Sequence, residues 1–274
     1  MLIPRPQLRE RPWRVWSPVR EPLPDTANVF VKISVCTTCM GRTHDLKETL
    51  LHNILDNEDY RALEFVILNY NSPDDMHDFM ISSTVRPHIE NGRVKYLRTR
   101  SPQFYSMSHS RNVAFRNATG HIVTNVDADN FTGKGFASYL NRLAAVCPQR
   151  AVFTKGKRRI HGRLGMYKDE FEKLGGYDED LKGYGYDDHS LLARAMSSGY
   201  TLMWWAAAES DFARRIITPR DQVGQRMENP NWRDTERVNK GITLEKLARG
   251  ELIANKDREW GTVNDLETIG MSDT

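Results

Sequence analysis

His121-Ile122-Val123-Thr124-Asn125-Val126-Asp127-Ala128-Asp129 is the stretch on which the fold turns. Its first six residues are largely apolar and β-branched, which predicts a strand over His121–Val126. Two carboxylates then appear abruptly at its end. Residues two apart in an extended segment point the same way, so Asp127 and Asp129 share a side. Close carboxylates repel one another and favour a cation between them. Their hard oxygens suit Mn²⁺ or Mg²⁺, ions that also grip a diphosphate. The run Asp129-Asn130 followed by Thr132-Gly133 equally suits a turn, and this stretch alone leaves both readings open.

Working outward, strands and helices alternate. Val31–Cys36, Glu64–Tyr70, Val94–Thr99, Ala151–Thr154 and Tyr200–Trp205 read as further strands. Between them, Thr43–Asn57 places Leu46, Leu50, Ile54 and Leu55 on one helical face. Pro73–Ser83, Ser108–Ala118, Gly135–Val146, Lys168–Leu174 and Asp187–Ser198 also read as helices. Such alternation predicts an α/β protein with a mostly parallel sheet covered by helices on both faces. Residues 1–28, rich in Pro and Arg and carrying Trp13 and Trp16, read as an extended arm docked on a domain spanning 29–215. Residues 216–274 read as a partly helical C-terminal extension, with helix over Thr243–Arg249 and a second candidate over Val223–Met227.

The composition is that of a globular protein: 274 residues, 39% hydrophobic and 27% charged, with a net charge of +3. That charge is too balanced to imply nucleic acid by itself. The longest apolar run, Leu202–Ala208, falls well short of the roughly 20 residues of a membrane helix. The arginine- and proline-rich start is the reverse of a signal peptide, and three cysteines make no disulfide framework. The expected location is therefore cytoplasmic. Cys36-Thr37-Thr38-Cys39 has redox spacing, but Cys36 falls inside a strand, so it carries no redox assignment.

In open α/β sheets ligands gather beyond the carboxyl ends of the strands. Here those ends carry Thr37, Thr38 and Arg42, then Asn69, Asn71 and Asp74, then Asp127 and Asp129. Two further motifs have chemical content. Ser108-His109-Ser110-Arg111-Asn112 at a helix start offers amides and a guanidinium to a phosphate, although Ser108 also suits an N-cap. Gly183-Tyr184-Gly185-Tyr186-Asp187-Asp188 offers aromatic faces for sugar rings and delivers two acids to a helix start, where the dipole favours them. The run Lys155-Gly156-Lys157-Arg158-Arg159 reads as a solvated loop or a steering patch for an anionic substrate.

In order and spacing these pieces resemble the GT-A (Rossmann-like) nucleotide-sugar-dependent glycosyltransferases, over about Val31 to Arg215. The likeness is to family-2-type enzymes and their galactosyl- and N-acetylgalactosaminyltransferase relatives. It rests on Ile33–Thr38 with Arg42, Leu68–Ser72, Ser110–Ala114, Ala118–Val123 running into Asp127-Ala128-Asp129, and Phe171–Glu179 with Gly183–Asp188. The resemblance implies that Asp127 and Asp129 hold the metal–diphosphate. It implies that Thr37, Thr38, Arg42, Asn71 and Asp74 line the nucleotide pocket, with Arg111 beside them. It makes Asp188 the catalytic base, with Asp187, Tyr184, Gly185 and Tyr186 on the acceptor side. The chain departs from the pattern twice. Asn69 and Asn71 stand where an aspartate usually reads the base, and no histidine follows His189 as a late metal ligand. Asp211 is the expected substitute, with Glu209 as runner-up.

The function so implied is a metal-dependent, inverting hexosyltransferase acting from a nucleotide sugar, a UDP-sugar before others, on an acceptor hydroxyl. The acceptor would be a glycan, lipid-linked or polymeric, while a nucleic-acid acceptor has little support from the charge. A sugar-nucleotide pyrophosphorylase is the alternative enzyme, but Cys39-Met40-Gly41-Arg42 matches its glycine-rich loop poorly. A non-catalytic carbohydrate- or nucleic-acid-binding protein is the alternative outside catalysis, and the full acid set argues against it.

Overall fold

The period-2 pattern of the strands sorts apolar side chains to two opposite faces of one sheet. In β1 (Ile33–Cys39) Ile33 and Val35 join one core, while Cys36 joins the other. In β2 (Leu63–Tyr70) Phe65 and Ile67 divide in the same way from Val66 and Leu68. On the first face lie α1 (Thr43–Leu55), through Leu46, Leu50 and Ile54, and α5 (Phe136–Val146), through Phe136, Leu140 and Leu143. On the second lie α4 (Met107–Asn117), α6 (Lys168–Lys173) and α7 (Asp187–Ser197), represented by Val113, Phe115, Phe171 and Leu191. The computed structural model describes residues 30–147, 149–154, 162–204, 212, 214–217 and 224–270. The expected arm, residues 1–28, lies outside them.

The remaining elements are α2 (Met76–Met80), α3 (Arg86–Glu90), β3 (Val94–Thr99), β4 (Ile122–Asn125), β5 (Ala151–Thr154), β6 (Leu164–Tyr167), β7 (Thr201–Trp204), α8 (Trp232–Ala248) and β8 (Glu267–Ile269). The strands form one sheet in the order β7-β5-β6-β4-β1-β2-β3-β8. Its centre, β4-β1-β2-β3, is parallel throughout. Antiparallel pairs flank it, with β6 beside β4 and β5 and β8 beside β3. The sequence expectation thus holds at the centre, while β6 and β8, of four and three residues, are too short for their periodicity to show.

Other differences have local causes. β1 runs on to Cys39 because Thr37, Thr38 and Cys39 pair with Ile67, Leu68 and Asn69 of β2. Cys36 and Cys39 are therefore buried strand residues, and burial pushes the Cys39 thiol up to about 12. That disposes of redox chemistry there. α4 begins at Met107, and its cap is Ser106, which accepts from the His109 amide at 3.4 Å; Ser108 is buried. The expected helix at 243–249 is only the last part of α8, whose polar first half and Gly241 hide its period. Residues 224–227 form a turn rather than a helix. No helix among the described residues is long and apolar enough to cross a membrane.

The C-terminal extension belongs to the same sheet. β8 pairs with β3, and Asp265 accepts from the Arg100 amide at 2.7 Å. Deeper in, Asn112 of α4 is fully buried and holds Tyr177 from both sides. Its amide donates to the Tyr177 carbonyl and its carbonyl accepts from the Tyr177 N–H, each at 2.8 Å. Asn112→Ala orphans the buried Tyr177 N–H, while the Tyr177 carbonyl keeps Asn255 Nδ2 at 2.7 Å. The expected loss is about 1–3 kcal/mol of stability, the cost of one orphaned group. Urea denaturation checks it, and a midpoint unchanged from wild type would contradict this account of the joint.

Candidate functional site

β4 carries the chain to the carboxyl edge of the sheet, where Val126 still donates to the Cys36 carbonyl at 2.9 Å. Asp127 to Asn130 then turn, closed by a 2.9 Å bond from the Asn130 amide to the Asp127 carbonyl. The turn and the paired acids thus coexist. Asp127 Oδ1 accepts from Arg111 Nη2 and from Asn125 Nδ2, each at 2.9 Å. Its Oδ2 makes no hydrogen bond to a described residue, and its side chain is 41% exposed. Burial of the site raises the Asp127 pKa, but Arg111 and Asn125 overcome this and hold it below the usual carboxylate value. Asp129 goes the other way: burial and then the charge of Asp127 raise it, against Arg42 at 3.5 Å. A divalent cation beside an ionised Asp127 and an Asp129 strained by its neighbour's charge would relieve that repulsion, so the donor chemistry fits Mn²⁺ or Mg²⁺. Among the described residues no group of three metal-ligating side chains occurs. Asp211 and Glu209, the expected further ligands, lie outside the described residues, as does the basic run Lys155–Arg159.

Arg111 joins this acid pair to the second one. It is 1% exposed, and its Nη1 bonds Asp187 Oδ2 while its Nη2 bonds Asp127. Burial works against the guanidinium charge, but the two carboxylates more than offset it and hold its pKa well above the ordinary value. Asp187 is buried as well. Burial raises its pKa despite Arg111, with Asp188 adding to the rise. Arg111 and Asp187 are therefore wall residues whose charges face each other.

Asp188 opens into a different environment. Tyr186 precedes α7 with φ of +68°, which turns the loop into the helix. Asp188 Oδ1 accepts from the His189 backbone N–H at 2.7 Å and lies 2.9 Å from His189 Nδ1. Burial raises its pKa, but these bonds win and lower it. Neither acid accepts as an N-cap side chain, so simple capping does not account for them. The loop itself is held by α8, whose role the sequence did not reveal. The Thr235 hydroxyl donates to the Tyr184 carbonyl at 3.0 Å, and Asn239 donates to the carbonyls of Lys182 and Gly185 at 2.9 and 2.8 Å. A Cβ at Gly183 would come within 2.9 Å of Thr235 Cγ2, so the close approach needs glycine. Tyr184 meets Trp232 edge-on at 5.9 Å between ring centroids.

The residues expected around a nucleotide are brought to one end of β1 and β2, but several are already engaged. The Thr37 hydroxyl donates to the Val126 carbonyl at 2.7 Å, and Thr38 Oγ1 lies 2.6 Å from the Tyr105 hydroxyl. Asp74 accepts from the amide and the hydroxyl of Thr43 at 3.0 and 2.7 Å, so it caps α1 from another loop. Burial raises its pKa, but Ser72 and Thr43 lower it further. Asn71, at φ of +52°, donates to the Pro102 carbonyl at 2.8 Å. Asn69 is buried, donating to Tyr96 and accepting from the Ser72 amide. Two arginines were not singled out in the sequence. Arg163 is 1% exposed and donates to Asn130 and to the Phe131 carbonyl, which braces the turn after Asp129. Arg226 lies against Gly41, where a Cβ would collide with its guanidinium. Neither carries a motif, because each acts through partners far away in the chain.

Residues 142–219 match the family model described as the N-terminal domain of galactosyltransferase. No curated protein matches the chain. Among solved structures, the chain is similar to a mannosyltransferase, PcManGT from Pyrobaculum calidifontis, in complex with GDP-Man and Mn²⁺. The TM-score is 0.53 at 23% identity, covering 71% of this chain and 58% of that one. It is similar to S. aureus TarS, residues 1–349, in complex with UDP-GlcNAc, with a TM-score of 0.58 at 13% identity over 82% of this chain and 74% of that one. GalNAc-T7 with UDP, GalNAc and Mn²⁺ gives 0.52 at 14% identity, over 65% and 43%. The chain thus spans under two thirds of two of these proteins. The shared architecture is the GT-A glycosyltransferase fold.

The Arg111 bridge yields a stability prediction. Arg111→Met leaves Asp187 buried without a cation, and breaking a buried pair costs about 3–5 kcal/mol. The orphaned carboxyl has a folded-state pKa raised further above its unfolded value. Its stability contribution is therefore present below the unfolded pKa and lost as pH rises through the folded one. The variant's deficit in urea should be smaller at pH 5 than at pH 8. A deficit independent of pH would contradict an uncompensated Asp187.

Proposed function

We propose that this chain, which has the GT-A glycosyltransferase fold, moves a sugar from a nucleotide-sugar donor to an acceptor hydroxyl with inversion at the anomeric carbon. The observation that carries the reading is that one buried guanidinium, Arg111, bonds both Asp127 and Asp187, and so brings together the two acid pairs to which they belong. Donors in the similar structures, GDP-Man and UDP-GlcNAc, support a nucleotide sugar. The resemblance of the acceptor loop favours a UDP-sugar, transferred to a glycan.

Asp127 and Asp129 would hold Mn²⁺ or Mg²⁺, as the Mn²⁺ in two of those structures supports. The ion's chemistry is to neutralise charge on the departing diphosphate. Arg42, beside Asp129, adds a cation at the same end of the sheet. Arg111 keeps Asp127 ionised and Asp187 in place. The open oxygen of Asp188, Oδ2, takes the acceptor proton as the acceptor oxygen attacks the anomeric carbon. The bond to the diphosphate breaks on the opposite side, and a donor of α configuration gives a β product.

Asp127→Asn and Asp129→Asn should each abolish transfer in a folded protein, the first with a lowered melting temperature because it leaves Arg111 one carboxylate short, and chelation should abolish transfer by wild type. Full activity of both variants in chelator would remove the metal from the proposal. Asp188→Asn should lower kcat by about 10²–10⁴-fold, the usual worth of a general base, while the donor KM stays put. NMR of the product anomer completes the test; a product of retained configuration would falsify inversion.

A further inference from the structure

His189, in the first turn of α7, both faces solvent and grips the proposed base. Its side chain is 47% exposed, against 11% for Asp188. Its backbone N–H and ring Nδ1 converge on the same carboxylate oxygen, Oδ1, at 2.7 and 2.9 Å. The imidazole lies nearly parallel to the Tyr186 ring, with centroids 5.1 Å apart and planes inclined by 20°. Tyr186 in turn is fixed by the turn into α7. The ring is thus held on two sides, by the carboxylate it bonds and by the phenol it stacks on. Oδ2 of Asp188 makes no hydrogen bond to a described residue and remains for the acceptor hydroxyl.

We infer that His189 is the positioning residue of Asp188, and that the protonation state of its imidazole sets how strongly the carboxylate accepts the acceptor's proton. The inference rests on the reading of Asp188 as the base. A neutral imidazole protonated at Nδ1 donates an ordinary hydrogen bond to Oδ1. An imidazolium donates a charge-assisted bond and places a full positive charge beside the carboxylate, which lowers its proton affinity. Asp188 is therefore the stronger base when His189 is neutral. Among the described residues, the groups facing His189 include Asp187 and Asp188 on α7, Tyr186 in the loop, and Glu236 on α8. The bond to Asp188 raises the His189 pKa above the ordinary histidine value, partial burial opposes this, and the charges of Asp188, Asp187 and Glu236 add to the rise. The imidazole therefore keeps its proton to a higher pH than an ordinary histidine.

The test is the pH dependence of kcat/KM for the acceptor, between about pH 5 and 9, at saturating donor and Mn²⁺. Wild type, His189→Gln, His189→Asn and Asp188→Asn are compared, with melting temperatures recorded for each. The wild-type rate should rise with pH over this range by about three- to tenfold, the size expected when a base's proton affinity changes by about one unit. His189→Gln should lose that inflection with the donor KM unchanged. His189→Asn, whose amide reaches the place of Nδ1, should restore the rate but not the inflection. An inflection that survives in both variants, or a loss felt only in donor KM, overturns the role of His189 while leaving Asp188 as base if Asp188→Asn is inactive. A fully active Asp188→Asn overturns the base reading and this inference with it.

Discussion

Arg111 sits at the point where the two halves of the site meet, and its burial sets the terms for both. A guanidinium out of water needs carboxylates around it, and carboxylates out of water need a cation. One nitrogen of Arg111 is spent on Asp127, at the end of β4, and another on Asp187, at the start of α7. Neither element can shift without leaving a charge stranded. Asp127 and Asp187 are therefore held in one frame, although 60 residues separate them in the chain. The same arithmetic of charge divides each acid pair into one member below its ordinary pKa and one above. Four acids in one place would otherwise repel. Here they fall into distinct states.

Support for that frame comes from distant parts of the chain. Asn112, one residue after Arg111, fastens Tyr177, and Arg194 of α7 donates to the carbonyls of Leu174 and Gly176 at 2.7 and 2.6 Å. Lys246 of α8 reaches the buried Asp178 at 2.8 Å. The stretch from 174 to 186 is irregular, and its backbone groups find partners in side chains rather than in a ladder. A loop held this way keeps its shape without being part of the sheet, as a site on a loop must.

The parallel centre of the sheet and the acid pair at Asp127 and Asp129 were legible in the sequence because both are local signals. β-branched runs declare strands, and a sudden pair of acids after one of them needs no distant partner to be noticed. The position of Asp188 at a helix start was legible through the glycine–aromatic run before it. What stayed hidden depends on contacts made across the chain. Thr37 and Asp74 read as pocket residues, yet their oxygens meet Val126 and Thr43. Arg111 read as a phosphate ligand, and nothing nearby in sequence shows that two acids, 16 and 76 residues away, already occupy it. α8 was mostly missed because its face toward the loop is made of Thr235 and Asn239, polar residues that hydrophobic periodicity does not register.

The dependence of the acceptor loop on α8 has a consequence for how the molecule is made. Thr235 lies 51 residues beyond the Tyr184 it bonds. At a synthesis rate of about 5–20 residues per second, the loop emerges roughly 3–10 s before its brace does. The edge of β3 waits longer still, since Asp265 lies 166 residues beyond the Thr99 it meets. A nascent chain that has already assembled β1 to β4 thus carries its acids on a scaffold with an open sheet edge and an unsupported loop. Vectorial synthesis thus braces the loop before it closes the sheet, and the open β3 edge is the place where a half-made chain is exposed to pairing with a neighbour.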